Sequence, residues 1–179
     1  MEVPMRREKY LVPEVEFVFR ENGEFVNRKS AELFDGKRVV VFSLPGAFTP
    51  TCSAYQLPGF EEKYDDFIGS GIDAIYCVSV NDGFVMNAWA QAQNIKNVKL
   101  IPDGNAYFTR SMGMLVTKSN LGFGGRSWRY AMVVDNGVIE KLFVEDGQRD
   151  NADTDPYEKT TPENVLEYVK STVREVATA

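Results

Sequence analysis

One cysteine stands in a sequence context that favours reactivity. Cys52 follows Thr49 and Pro50, which form a helix-start signature because a hydroxyl caps a helix and proline suits its first position. Cys52 then falls in the first helical turn, where unpaired backbone N–H groups and the helix dipole favour a thiolate. The alternative is an ordinary buried cysteine beside a turn. The context favours a reactive thiol.

The residue three positions before Cys52 indicates which reactions the thiol could carry out. Thioredoxin-type oxidoreductases carry a second cysteine at that spacing, but here the residue is Thr49. Threonine can donate a hydrogen bond to a thiolate or a bound oxygen, but it cannot form a disulfide. The spacing therefore favours chemistry on a small oxygen electrophile over dithiol exchange.

The sequence contains no histidine. This excludes Cys–His dyads, Ser–His–Asp triads and histidine-ligated metal sites. A helix terminus, a hydroxyl or a permanent cation must therefore activate Cys52, and we predict no cofactor.

Composition excludes several classes of protein. The 179 residues are 44% hydrophobic with a net charge of −6, which predicts one globular domain over residues 1–179. There is no extended basic patch for nucleic acid, no apolar segment long enough for a membrane span, and no secretory signal in residues 1–12. Two cysteines do not make a disulfide framework, so we expect a cytoplasmic protein.

The elements around Cys52 predict how it is held. The apolar run 39–42 suits a strand buried on both faces, and Pro45 and Gly46 end that strand with a turn toward Cys52. An N-terminal β-hairpin is predicted over 14–26, with its turn at 21–24.

The rest of the chain alternates strands and helices. The other predicted segments are a helix to about residue 70 divided at 58–59, strands at 72–80 and 98–101, a helix from 82, irregular loop at 112–125, a hairpin over 128–144, a solvated acidic loop at 146–155, and a final helix at about 161–176. This order indicates an α/β protein of thioredoxin-like fold, with a central mixed β-sheet flanked by helices.

Three motifs together resemble the peroxiredoxins of the peroxiredoxin-5 type, especially the domain that bacterial hybrids fuse to a glutaredoxin. They are Pro-Gly-Ala-Phe-Thr-Pro-Thr-Cys at 45–52, Ser-Val-Asn-Asp at 79–82 and Arg-Ser-Trp-Arg-Tyr at 126–130. The likeness runs from about residue 12 to 143. It implies a thiol peroxidase that reduces hydrogen peroxide and small alkyl hydroperoxides through a sulfenic acid.

The resemblance also implies site residues. Cys52 is similar to the peroxidatic cysteine, Thr49 to its hydroxyl partner and Arg129 to the arginine that precedes the Met-Val-Val strand. Pro45 is similar to the proline that shields the pocket, with Gly46 beside it. Donors from Thr49 and Arg129 would stabilise the charge that develops on the departing oxygen.

Arg126 competes with Arg129 for the role of cation. The two are an odd number of residues apart on a segment that enters a strand, so alternation predicts that they face opposite sides. The resemblance favours Arg129 and leaves Arg126 in the pocket wall. For either arginine, the alternative is a surface ion pair that contributes little.

Two further positions bear on the reductant. Gln56 stands where the family usually has a histidine, and glutamine can form hydrogen bonds but cannot titrate. This departure bears on how the reductant docks more than on peroxide cleavage. Cys77 lies in mid-strand and is predicted to be a small buried hydrophobe. Because residues 147–179 carry no cysteine, we predict a one-cysteine mechanism with glutathione, glutaredoxin or another external thiol as reductant.

The resemblance implies a homodimer, with Phe84 and the loop near Met112 and Met114 as candidate contacts. Trp89 and Trp128 are predicted to lie in the core or an interface. Two other functions remain open: a peroxide sensor or redox relay that does not turn over, and a thioredoxin-like binding scaffold with an inert cysteine.

Overall fold

The computed structural model describes residues 6–173 and has a central sheet of five strands. The strands follow the order β5-β4-β3-β8-β9, in which β3, β4 and β5 are parallel while β8 and β9 are antiparallel to their neighbours. Their bounds are Arg38–Ser43 (β3), Ala74–Ser79 (β4), Lys99–Pro102 (β5), Tyr130–Asp135 (β8) and Val138–Val144 (β9). The predicted α/β class, thioredoxin-like fold and mixed sheet are confirmed.

Two short hairpin-like sheets accompany the central one. The predicted N-terminal hairpin is present as β1 (Glu16–Glu21) and β2 (Glu24–Lys29). A second pair consists of β6 (Leu115–Thr117) and β7 (Gly125–Ser127), of which β6 and the first residue of β7 fall within the irregular loop predicted at 112–125. Strands of three residues are too short to show an alternating pattern, so this prediction was wrong.

Six α-helices cover the sheet within the described residues. They are Ser30–Phe34 (α1), Leu57–Glu62 (α2), Tyr64–Gly69 (α3), Gly83–Ala92 (α4), Tyr107–Ser111 (α5) and Pro162–Ser171 (α6). None of these helices is long and apolar enough to span a bilayer.

Two helix boundaries differ from their predictions. The break between α2 and α3 falls at Lys63 rather than at Pro58, because Pro58 occupies the first turn of α2, where its missing N–H is tolerated. Thr161 caps α6 by accepting a hydrogen bond from the Asn164 amide at 3.2 Å, as predicted. The helix ends at Ser171, and residues 174–176 of the predicted helix lie outside the described residues.

The central strand β3 divides the core into two clusters. Val39 and Val41 pack on one face with α1, α5 and the N-terminal hairpin, while Val40 and Phe42 pack on the other with α2, α3, α4 and α6. Because successive side chains of a strand point to opposite faces, a strand buried on both faces needs a continuous apolar run. Cys52 belongs to the second cluster.

The two tryptophans and the two methionines that were predicted for the core or an interface share one environment. Trp89, Trp128, Met112 and Met114 are all buried within the chain. The loop near Met112 and Met114 could therefore contribute dimer contacts only through residues other than these two methionines, and its place in a dimer stays a prediction. Phe84 is 55% exposed.

Candidate active site

The loop that leaves β3 is held by an asparagine from the neighbouring strand's end. Asn81 accepts hydrogen bonds through its side-chain oxygen from the Ala47 amide at 3.0 Å and the Ser79 hydroxyl at 2.5 Å. Phe48, at the tip of this loop, adopts φ of 63°, which non-glycine residues take rarely. The 79–82 motif therefore anchors the loop that leads to Cys52.

The helix that carries Cys52 begins at Pro50, as the sequence predicts. The hydroxyl of Thr49 donates to the Gly46 carbonyl at 2.7 Å, and among the described residues it accepts no capping hydrogen bond from a backbone amide of this helix. The stretch Cys52–Gln56 is π-helical, and the Leu57 amide donates to the Cys52 carbonyl five residues earlier. Short π-helical segments of this kind occur often at functional sites.

The sulfur of Cys52 lies against the guanidinium of Arg129. Arg129 Nη1 is 3.6 Å from Cys52 Sγ, within hydrogen-bonding distance for sulfur. Both side chains are buried, with exposed fractions of 0% for Cys52 and 1% for Arg129. A buried cation stabilises an anionic sulfur more strongly than a solvated one because water screens the pair less.

The guanidinium of Arg129 has three further contacts. Its Nη1 donates to Gln56 Oε1, its Nη2 donates to Asp155 Oδ1 at 2.7 Å, and its Cζ lies 5.5 Å from the centre of the Tyr157 ring. Gln56 faces the same guanidinium as Cys52 because side chains four residues apart share one face of a helix. Cys52, Gln56 and Asp155 thus converge on one cation.

The electrostatics of this cluster keep Arg129 charged. Burial acts to lower the pKa of Arg129, but the negative charges of Cys52 and Asp155 outweigh it, and the pKa is raised. Burial also raises the pKa of Tyr157 to about 12, so its hydroxyl remains protonated at neutral pH.

Arg126 also reaches the Cys52 loop, contrary to the alternation argument. Its Nη1 donates to the Pro45 carbonyl at 3.1 Å, so both arginines contact the segment from Pro45 to Cys52. The prediction of opposite faces was wrong because Arg126 belongs to β7, whereas Arg129 precedes β8 in a different sheet. Burial lowers the pKa of Arg126, and the charge of Cys52 opposes that shift.

Gly46 has a steric role in this arrangement. A Cβ atom at that position would lie 2.1 Å from Arg126 Nη1, which is closer than any side chain permits. The absence of a side chain at Gly46 therefore allows Arg126 to reach Pro45. Pro45 and Gly46 are both buried.

The second cysteine lies within the sheet. Cys77 is in mid-strand in β4 and is fully buried, and both cysteines are free thiols. Burial, with a contribution from the charge of Cys52, raises the pKa of Cys77 well above its ordinary value. A protonated thiol is a poor nucleophile, so Cys77 has the environment of a structural residue.

A small cleft opens beside the Cys52 loop. Its volume is about 200 Å³, and its lining includes Pro45, Thr49, Pro50, Lys118 and Phe123. Two residues predicted from the sequence, Pro45 and Thr49, therefore border solvent-accessible space next to the buried thiol. Within residues 6–173, no group of three or more histidine, cysteine or carboxylate side chains could hold a metal ion.

Asp155 and Tyr157 were missed from the sequence. Residues 146–155 were interpreted as a solvated loop, but Asp155 forms an ion pair with the buried Arg129. The available signal was Asp-Pro-Tyr at 155–157, an aromatic residue and a proline that interrupt a polar run. Nothing local in that signal specifies Arg129 as the partner.

Comparison with known proteins identifies the family. The Redoxin family model matches residues 11–159. A peroxiredoxin of Rhizobium etli is 60% identical over 145 residues, covering 81% of each chain. The hybrid peroxiredoxin hyPrx5 of Haemophilus influenzae is 51% identical over 158 residues, covering 88% of this chain and 64% of that protein.

A solved structure agrees with these sequence matches. The antioxidant protein of Plasmodium falciparum, a 1-Cys peroxiredoxin, superimposes with a TM-score of 0.89 and 43% identity, covering 93% of this chain and 99% of that one. The predicted resemblance is therefore confirmed. The chain belongs to the peroxiredoxin family, whose members are thiol-dependent peroxidases.

Proposed function

We propose that this chain reduces hydrogen peroxide and small alkyl hydroperoxides at Cys52, and that an external thiol regenerates it. The observation that carries the proposal is the 3.6 Å contact between Cys52 Sγ and Arg129 Nη1 in a buried site. The 200 Å³ cleft bordered by Thr49 and Pro45 suits a small substrate better than a bulky one.

In the first step, the Cys52 thiolate attacks one peroxide oxygen. A sulfur–oxygen bond forms and the oxygen–oxygen bond breaks, so the sulfur is oxidised by two electrons to a sulfenic acid. The departing oxygen leaves as hydroxide or alkoxide and takes from solvent the proton that the Cys52 thiol released on ionising, which gives water or an alcohol. Arg129 stabilises that departing charge, and the Thr49 hydroxyl is the second proposed donor.

Thr49 must change its hydrogen bond to play this part. Its hydroxyl donates to the Gly46 carbonyl at 2.7 Å, and it has a single proton to donate. Rotation of the hydroxyl toward a bound peroxide would redirect this hydrogen bond from the Gly46 carbonyl to the substrate, with the proton still on Thr49 Oγ1. The Gly46 carbonyl is then left to other donors or water.

Regeneration is proposed to use glutathione, with or without glutaredoxin. One thiol condenses with the sulfenic acid to form a mixed disulfide and releases water. A second thiol then attacks the sulfur of the first, so that the two leave together as a disulfide and Cys52 is restored as a thiol. Cys77 does not serve as the resolving thiol in this scheme because it is buried within β4 and its pKa is raised. The 1-Cys name of the Plasmodium falciparum protein and the hybrid name of the Haemophilus influenzae protein are consistent with this proposal.

We also propose that the protein acts as a cytoplasmic homodimer. Two free thiols are expected in a reducing compartment. Phe48 and Phe84 are each 55% exposed, and Phe48 lies on the loop beside Cys52. Large exposed aromatic side chains of this kind are enriched in interfaces.

The test is peroxide consumption by the wild type and by Cys52→Ser, with glutathione plus glutaredoxin and the thioredoxin system compared side by side. Many equivalents of peroxide consumed per chain with the glutathione system, and none by Cys52→Ser, is the expected result. A single equivalent consumed with every reductant would instead support a sensor or redox relay. Cys77→Ser serves as the matched control and retains turnover.

A further inference from the structure

A loop between the sheet and the last helix lies across the guanidinium of Arg129. We call this loop, residues 146–161, the strap. Just before it, the buried Glu145 carboxylate accepts hydrogen bonds from the backbone amides of residues 158–160 at 2.9–3.1 Å. Asp150 accepts a further hydrogen bond from the Thr117 amide at 2.9 Å. The strap is therefore anchored on both sides of its central part.

The central part of the strap contacts Arg129 through two side chains. Asp155 Oδ1 lies 2.7 Å from Arg129 Nη2, and the Tyr157 ring packs over the guanidinium. The Asp155 side chain is 47% exposed, whereas that of Arg129 is 1% exposed. One end of this ion pair thus borders solvent while the other lies against the reactive sulfur.

The donors of Arg129 show how few groups orient it. A guanidinium has five N–H groups, and here Nη1 serves Cys52 and Gln56 while Nη2 serves Asp155. The Nε donor is buried and has no partner among the described residues. Removing Asp155 would leave Nη2 without its only hydrogen-bond acceptor there.

The charge on Cys52 changes during the proposed reaction, but the charge on Asp155 does not. A thiolate is an anion, whereas the sulfenic acid and the mixed disulfide are drawn as neutral groups. If Cys52 were the only anion beside Arg129, its conversion to a neutral group would leave the buried guanidinium without an opposite charge to hold it in place. Asp155 is the anion that remains.

We infer that Asp155 is a positioning residue for the peroxide reaction: it holds the Arg129 guanidinium in line with the Cys52 sulfur in every state of the cycle. The inference rests on the proposed function, because it assigns Asp155 to the arginine that stabilises the departing oxygen. Asp155 also borders the cleft beside Thr49, but the role assigned to it is exerted through Arg129, whose Nη2 donates to it. The part of the strap at Asp155 and Tyr157 therefore supports the reactive site, whereas Asp146 at its start lies on the solvated surface.

The test compares two reactions of the same sulfur in Asp155→Asn. Peroxide cleavage needs a thiolate and an oriented Arg129, whereas alkylation by iodoacetamide needs the thiolate alone. The rate constant with hydrogen peroxide is expected to fall about tenfold or more. The measure is the loss of activity at metal sites, where removing a group that orients a ligating side chain by a hydrogen bond costs about 10- to 100-fold. Alkylation is expected to stay within about twofold of wild type or to become faster, because a negative charge near the thiolate has been removed.

Asp146→Asn is the matched control, because Asp146 lies on the strap in an exposed ion pair with Lys159 and undergoes the same change of charge. It should leave both rates unchanged. The inference is overturned if Asp155→Asn reacts with peroxide as fast as wild type, or if peroxide cleavage and alkylation slow by the same factor. If the wild type itself fails to react with peroxide, the proposed function fails instead, so the two failures are distinguishable.

Discussion

Arg129→Lys is the substitution that tests the geometry of the site most severely while keeping its charge. The wild-type guanidinium serves acceptors on two different terminal nitrogens, with Cys52 and Gln56 on Nη1 and Asp155 on Nη2. A lysine ammonium is a compact point charge and lacks the rigid fork that spans such acceptors. It can satisfy the Asp155 carboxylate or approach the sulfur, but it cannot keep the wild-type arrangement of all three.

The expected loss follows from what each contact does. If lysine pairs with Asp155, a preorganised donor is withdrawn from the departing oxygen, which costs about 10²- to 10³-fold in rate, or about 2.7–4 kcal/mol. Gln56 Oε1 is buried and would lose its donor, which costs about 1–3 kcal/mol of folding stability. We therefore expect a fall of at least about 100-fold in the peroxide rate constant, with a measurable but smaller effect on folding.

The assay is stopped-flow measurement of Cys52 oxidation by hydrogen peroxide, with urea denaturation of the reduced protein alongside. Arg126→Lys is the comparison variant, because Arg126 donates to two backbone carbonyls, that of Pro45 through Nη1 and that of Phe123 through Nε, and an ammonium keeps the charge and can still reach one of them. Its loss should be less than about tenfold, as expected when charge-assisted hydrogen bonds of about 1.5–3 kcal/mol to the loop backbone are only partly weakened. Equal losses in the two variants, or a wild-type rate in Arg129→Lys, would refute the reasoning.

Three other substitutions test separate parts of the account. Thr49→Val removes the proposed second donor while keeping a β-branched side chain, so the rate constant with peroxide should fall about 10²- to 10³-fold. Thr49→Ser keeps the hydroxyl and should stay close to wild type. Similar rate constants in the two variants would show that the hydroxyl does not act as a donor in the reaction. Gln56→His places a group with an ordinary pKa of about 6.5 beside Arg129, whose charge lowers that pKa. The rate constant of this variant with peroxide should therefore decline below about pH 6, as the imidazolium repels the guanidinium. The wild type has no histidine, so its pH–rate profile should lack this decline. Superimposable pH–rate profiles would contradict the prediction. Glu145→Gln replaces a buried carboxylate that accepts from three backbone amides and the Thr160 hydroxyl. An amide can accept on only one oxygen, so the free energy of unfolding should drop by about 3 kcal/mol in denaturation experiments. A drop below about 1 kcal/mol, or one that the exposed Glu158→Gln equals, would show that Glu145 holds residues 158–160 only weakly.

The parts of the fold that were predictable have strong local signals. The apolar run of β3 and the turn residues of the two long hairpins each determine structure within a few residues, so they could be recognised without tertiary information. The start of the Cys52 helix at Pro50 has the same local origin.

Other features depend on contacts between distant segments. The faces of Arg126 and Arg129 could not be inferred by alternation, because the chain passes from one sheet to another between them. The role of Asp155 depends on a partner 26 residues away in sequence. The Thr49 hydroxyl departs from the capping rule for a local reason, because it donates to the Gly46 carbonyl three residues earlier in the same turn.

The most direct measurement treats the reduced protein with one equivalent of hydrogen peroxide in the presence of dimedone and locates the adduct by peptide mass spectrometry. The account predicts that the adduct forms on the peptide containing Cys52, that Cys77→Ser leaves it unchanged, and that Cys52→Ser abolishes it. Labelling of Cys77 instead, or no labelled cysteine in the wild type while peroxide is consumed, would contradict the assignment of Cys52 as the sulfur that cleaves the peroxide.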